Sequence, residues 1–176
     1  TRSSTGDATG RGVYVVDAKT GALLMSIGNT PVFGKQANKM SYSMPADVRV
    51  IDSDGNGIAD RLYAVDLGAQ IWRIDITEGA AVKAASSYFV NHMADFGADN
   101  AGNINATTQR RFFYAPSVAR YLRDNVLQYA IAIGSGYRAH PLETVVQNHV
   151  YVLFDPDVAT GPPANLVVPA KLNSLY

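Results

Sequence analysis

Short apolar runs recur along the chain, separated by stretches rich in glycine, asparagine and aspartate. Val13-Tyr14-Val15-Val16-Asp17, Leu62-Tyr63-Ala64-Val65-Asp66 and Val150-Tyr151-Val152-Leu153-Phe154-Asp155 share one plan: an apolar run with tyrosine second, closed by aspartate. Such near-continuous runs suit strands whose sheet is covered on both faces. The closing aspartate offers its carboxylate to the N–H groups of a turn. The three tyrosines stand about one and about two periods of ~40–50 residues apart, which is the spacing of propeller blades of four strands each.

The pattern predicts strands near residues 12–17, 22–27, 47–52, 61–66, 70–76, 115–121, 126–133 and 148–155. Asp17-Ala18-Lys19-Thr20-Gly21 and Asp66-Leu67-Gly68-Ala69-Gln70 read as links between successive strands. In the first, Thr20 supplies a hydroxyl cap and Gly21 a residue free to take positive φ. Ala80 to Met93 reads equally as a short helix or a further strand. Residues 94–109, rich in Asp, Asn, Gly and Ala, read as a long loop between blades. Residues 156–176, with Pro156, Pro162, Pro163 and Pro169, read as an extended tail.

The expected architecture is therefore all-β: a single partial or modified β-propeller domain over 1–176, with roughly three to four blades. Propellers close with four to eight blades, so an open arc of a larger ring is expected. The start at Thr1-Arg2-Ser3-Ser4, without an initiator Met or leader, is that expected of a piece of a longer protein.

Composition narrows the function. The 176 residues carry 15 Lys+Arg and 15 Asp+Glu, a formal net charge of zero. That balance gives no general pull on nucleic acid or anionic lipid. No run approaches the ~20 apolar residues of a membrane helix, so no membrane insertion is expected. The absence of cysteine excludes thiol nucleophiles, redox pairs, thiolate zinc sites and disulfides. His92, His140 and His149 lack the spacing of a transition-metal site. Ser135, in Gly134-Ser135-Gly136, lacks the wider frame of a serine nucleophile. The run Gly134 to Pro141 reads as a strand-end turn with Arg138 paired locally, and Arg110-Arg111 is too short to signify nucleic acid. Trp72 and most of the ten tyrosines read as packing residues. No enzyme is expected.

The sharpest feature is Asp52-Ser53-Asp54-Gly55-Asn56-Gly57-Ile58-Ala59-Asp60. It fits D-x-D-x-N-x-x-x-D, with oxygen side chains at the first, third, fifth and ninth positions. Calcium takes six to eight oxygens at ~2.3–2.6 Å, and a nine-residue loop can wrap one ion. Asp52, Asp54 and Asn56 would coordinate from one side, the Ile58 carbonyl from the far limb, and Asp60 would close the shell. Gly55 and Gly57 permit the tight reversal, and carboxylates packed so closely repel one another without a cation. The twelfth position is Tyr63, not the glutamate of an EF-hand, and the flanks Val48 to Ile51 and Leu62 to Val65 read as strands. The loop is expected between two strands of one blade.

Ala46-Asp47-Val48, the nonapeptide, and Asp60-Arg61-Leu62-Tyr63-Ala64-Val65-Asp66-Leu67-Gly68-Ala69-Gln70-Ile71-Trp72-Arg73-Ile74-Asp75 together resemble the C-terminal β-propeller of PilY-type proteins, the type IV pilus tip-associated biogenesis factors and adhesins. Tyr114 to Ala119 and Ile133 to Arg138 are similar to the following blade. The resemblance implies a modified propeller with calcium as its ion, held by Asp52, Asp54, Asn56, Ile58 (backbone) and Asp60. It also implies regulation of pilus extension and retraction, hence twitching motility and adhesion. The implied partners are pilus subunits or the assembly machinery and a host or abiotic surface. The implied location is the bacterial surface at the pilus tip, reached by export through the periplasm and outer membrane. This chain lacks a von Willebrand-type domain and an Arg-Gly-Asp tripeptide. Two other readings stand beside it. Val16 to Gly21 resembles the repeats of quinoprotein propeller enzymes, with Met25 where those repeats place tryptophan. Alternatively, the ion staples a purely structural blade set.

Overall fold

The computed structural model describes residues 6–28, 40–77, 88–99, 101–158 and 170. Among the described residues all regular structure is β, in three antiparallel sheets. The first pairs β1 (Gly12–Val16) with β2 (Leu23–Gly28). The second runs in the order β3 (Arg49–Ile51), β4 (Arg61–Val65), β5 (Gln70–Ile76) and β6 (Tyr88–Asp95). The third runs β7 (Ser117–Arg123), β8 (Val126–Gly134) and β9 (Val150–Asp155). Neighbours in sequence are neighbours in each sheet, and none of the sheets closes on itself.

Turn chemistry sets this order. The Asp17 carboxylate accepts from the N–H groups of Lys19 (2.9 Å) and Thr20 (2.7 Å), the Thr20 hydroxyl oxygen accepts from Ala22 N–H, and Gly21 takes φ 72°. Asp66 repeats the device, accepting from Gly68 N–H (2.8 Å) and Gln70 N–H (3.1 Å). Its other oxygen accepts from the Trp72 indole N–H at 2.9 Å, tying the turn to the core. Gly68 is required by packing: a Cβ there would run into the buried ring of Tyr42. Asp124 and Asn125, at φ 50° and 62°, form the two-residue turn between β7 and β8. Asp and Asn tolerate that left-handed backbone, whose twist matches the strands it joins.

The second sheet lies between the other two. Leu62, Ala64, Trp72 and Ile74 pack with Val13, Met25 and Ile27 of the first sheet. Tyr63, Val65, Ile71 and Met93 pack with Ile131, Ile133, Tyr151 and Leu153 of the third. Successive side chains of a strand point to opposite faces, so β4 is buried throughout and β5 is buried up to Ile76. The run Leu62–Val65 thus has the two-sided burial expected of it, whereas β1 and β9, which share its plan, are covered on one face only and leave Tyr14, Val16, Val150 and Val152 exposed, because their sheets lie at the two ends of the stack. Each fully buried aliphatic side chain contributes about 1.5–3 kcal/mol. A bulge opposite Ile71 and Trp72 shifts the β5–β6 register, setting His92 across from Trp72 with their rings stacked at 4.3 Å.

Several boundaries differ from the sequence expectation. The undecided Ala80–Met93 segment ends in strand: β6 starts at Tyr88 and runs through Ala94 and Asp95, while 80–87 lie outside the described residues. The expected 94–109 loop accordingly loses its first two residues, because Ala94 and Asp95 still pair with Ile71 and Gln70. β7 begins two residues later than expected, after Pro116, which has no N–H to give a ladder. Most of the expected tail lies outside the described residues; Ala170 bridges in parallel to Ala94.

Candidate metal centre

The nonapeptide forms the connection between β3 and β4, whose register pairs Ile51 with Arg61. Asp60 N–H donates to the Ile51 carbonyl at 3.1 Å and closes the neck of the loop. The Asp60 carbonyl in turn accepts from Ile76 N–H at 2.7 Å, which fixes that end to the last residue of β5. Gly55 and Gly57 sit at φ 81° and 90°, the left-handed conformation the reversal needs.

The loop brings Asp52, Asp54 and Asp60 together: one carboxylate oxygen from each lies within 4.8 Å of the others. Their environments differ. Asp60 is 2% exposed, and its two oxygens accept from Ser53 N–H (3.0 Å) and the Ser53 hydroxyl (2.6 Å). Asp52 accepts from Gly55 N–H (2.6 Å), Asn56 N–H (3.2 Å) and Gly57 N–H (2.7 Å). The Gly57 N–H foremost, with those of Gly55 and Asn56, holds the Asp52 carboxyl below the ordinary carboxylate range. Asp54 accepts from Asn56 N–H and from its side-chain amide, both at 3.1 Å.

Asn56 lies in the loop with its side chain tied locally: besides its bond to Asp54, its Oδ1 accepts from Ile58 N–H at 2.7 Å. The Ile58 side chain is 57% exposed, which suits a residue offering only its carbonyl. The carboxylates are thus placed by backbone N–H groups and by Ser53. A carboxylate has about four lone-pair sites, so Asp60 keeps acceptor capacity beyond its two bonds. An all-oxygen, carboxylate-rich donor set fits a hard cation such as calcium and not a thiolate or imidazole metal.

The loop also touches the third sheet. The Arg120 guanidinium donates to the Ser53 carbonyl, and Arg49 Nε to the Pro116 carbonyl at 3.2 Å. Directly after Asp60 comes a buried ionic network that the sequence reading missed. Arg61 and Arg73 both contact Asp75 at 2.9 Å, and Arg73 also reaches Asp155 (3.0 Å) and Asp157 (2.9 Å). Tyr63 donates its hydroxyl to Asp155 at 2.7 Å. Burial depresses the Arg73 pKa, but the carboxylates of Asp75 and Asp155 outweigh it and raise the net value. Burial raises the Asp75 carboxyl in spite of its two guanidinium partners. One signal was available: Arg61 and Tyr63, and Arg73 and Asp75, alternate within their strands and so share one face.

Other sequence candidates take packing roles. Trp72 is fully buried, and Arg110 is buried with its guanidinium donating to the carbonyls of Gln147 and Phe96. Arg138 is exposed, with its guanidinium 5.5 Å from the centre of the Tyr114 ring.

No protein-family model matches the chain, and no curated protein matches it. Among solved structures, the chain is similar to the crystal structure of the Pseudomonas aeruginosa PilY1 C-terminal domain, with a TM-score of 0.61 and 22% sequence identity. The match covers 92% of this chain and 34% of that one, so this chain spans about a third of its neighbour's length. At that identity the likeness shows the fold alone.

Proposed function

We propose that the chain is a calcium-binding arc of a β-propeller from a type IV pilus-associated surface protein, a binding and regulatory module rather than an enzyme. The convergence of Asp52, Asp54 and Asp60 in a loop between two paired strands carries this reading. The likeness to the PilY1 C-terminal domain supplies the pilus context. The three sheets are read as successive blades. The outer face of the third sheet, where Tyr121, Val150 and Val152 are exposed, is where a further blade would stack.

Calcium would screen the repulsion among three carboxylates and fix the angle between β3 and β4. Because Ser53 is gripped by Arg120 and Asp60 adjoins Arg61, ordering of the loop reaches the boundary between the second and third sheets. Filled and empty loops would then present different surfaces to pilus subunits or the assembly machinery, and so regulate extension, retraction, twitching motility and attachment at the cell surface. Calorimetric titration of the 176-residue chain with calcium tests the site. Uptake that disappears in Asp60→Ala is expected, and no uptake by the unaltered chain removes the proposal. Twitching by a strain carrying Asp52→Ala in the parent protein tests regulation, with surface display checked by immunoblot. Normal motility with normal display would reduce the ion to a structural staple.

A further inference from the structure

We infer that the cleft between residues 111–114 and 134–141 binds a carboxylate-bearing sugar, a uronic acid at the end of an oligosaccharide. The cleft holds about 370 Å³ and is lined by Phe113, Tyr114, Tyr137, Arg138 and Asn148 over a floor of Gly134-Ser135-Gly136. That volume is within the range of small-molecule sites. A Cβ at Gly134 or Gly136 would meet nothing within 4 Å, so the glycines leave the floor open.

The chemistry of the walls selects the ligand. Tyr114 is 62% exposed, and Tyr137 stacks on Phe113 with ring centres 6.3 Å apart. The Tyr137 ring is packed further by the Arg111 guanidinium, 3.9 Å from its centre, and by the His140 ring, whose centre lies 5.9 Å away. The exposed Tyr114 ring, with the Arg138 guanidinium 5.5 Å from its centre, sets an apolar surface beside a positive charge, which matches a pyranose that carries a carboxylate. Arg138 forms no ion pair among the described residues, and no acidic side chain lines the cleft. An unneutralised guanidinium beside aromatic faces favours an anion with an apolar side.

Phosphate and a peptide C-terminus are held by nests of free backbone N–H groups. On the floor of this cleft two such groups are committed: Ser135 N–H donates to the His149 carbonyl at 2.8 Å, and Gly136 N–H to the Arg111 carbonyl at 3.0 Å. With those two N–H groups engaged, Arg138 is the cationic side chain in the lining placed to read the carboxylate. Ser135 Oγ donates to Asn148 Oδ1 at 3.1 Å, which directs the Asn148 amide to donate to a sugar hydroxyl.

The test is an NMR titration of the isotope-labelled chain with trigalacturonic acid, run beside the fully methyl-esterified trisaccharide and inorganic phosphate. Amide shifts at Tyr114, Gly134 to Arg138 and Asn148 are expected with the acid alone. Arg138→Ala and Tyr114→Ala should each weaken binding about tenfold or more, and Arg138→Lys should retain part of it. Both positions are exposed, so these variants should keep the dispersed spectrum of the folded chain. No shifts at millimolar trigalacturonate, equal binding of the ester, equal binding of phosphate, or unchanged affinity in Arg138→Ala would each overturn the inference.

Discussion

Arg73 on β5 and Asp155 at the end of β9 meet at 3.0 Å across the boundary between the second and third sheets, with neither side chain reaching solvent. Around them two guanidiniums and three carboxylates share one network with the Tyr63 hydroxyl. Burial, reinforced by Asp155, pushes that hydroxyl well above the ordinary tyrosine range, so it remains a donor at any physiological pH. The network ties the second sheet to the third through Arg73, Tyr63 and Asp155.

Removing one partner strands the others. Asp155→Ala takes an acceptor from both Arg73 and Tyr63, and should cost about 3–5 kcal/mol in urea unfolding. Asp124→Asn, which removes the charge from the exposed 3.8 Å pair with Arg123 and keeps a side chain that tolerates the left-handed turn, should change stability by no more than about 0.5 kcal/mol. Similar costs for the two variants would contradict the buried network.

Asp66 organises its turn and the single tryptophan together. Asp66→Ala leaves the Gly68 and Gln70 N–H groups and the Trp72 indole without this acceptor, and should cost about 1–3 kcal/mol. The emission of Trp72, buried in the unaltered chain, should shift to the red. Unchanged emission and melting temperature would show that packing alone holds the indole.

Asp60 and Asp54 should separate structure from metal binding. Asp60→Ala should lower the melting temperature without calcium, because Ser53 loses both of its bonds to that carboxylate. Asp54→Ala, in the exposed part of the loop, should leave the calcium-free melting temperature nearly unchanged. In both, the rise produced by calcium should vanish; in the unaltered chain, a hundredfold excess over Kd adds about 2.7 kcal/mol. A calcium-dependent rise persisting in Asp54→Ala would remove that residue from the ligand set.

The loop should also resist mild acid. Asp52 has its pKa lowered by the Gly57 N–H and its neighbours, so its contribution is fully present above the unfolded value of about 3.9 and fades as pH falls through the lower folded value. The amide shifts of Gly55 and Gly57 should hold steady from pH 7 to about 5 and move only below the ordinary carboxylate range. Titration near pH 5 would show that these N–H bonds do not form in solution.

Much of the fold was legible because it is local. Asp17 and Asp66 bond N–H groups two to four residues on, so their turns could be read from neighbouring letters. The two-sided burial of β4 followed from its apolar run, but the same plan in β1 and β9 gave strands covered on one face, and β5 is buried with Arg73 and Asp75 in it. The letters of β6 read equally as helix or strand because Asn91 and His92 break its apolar run, though both are buried against the rest of the sheet. The strand-end turn read at Gly134 to Pro141 became one wall of a cleft only when Phe113 and Tyr114 were brought beside it.

The amino-acid order alone determined the β character, the strand-closing aspartates and the spacing of three carboxylates in a nine-residue loop. Each of these depends on backbone geometry over a handful of bonds. Only the tertiary structure decided that Arg73 finds Asp155 from 82 residues away, that Arg120 grips the loop at Ser53, and that Arg138 stands over an exposed ring. Such partners are chosen by how sheets stack, and a strand's own letters carry its faces but not which neighbour will cover them.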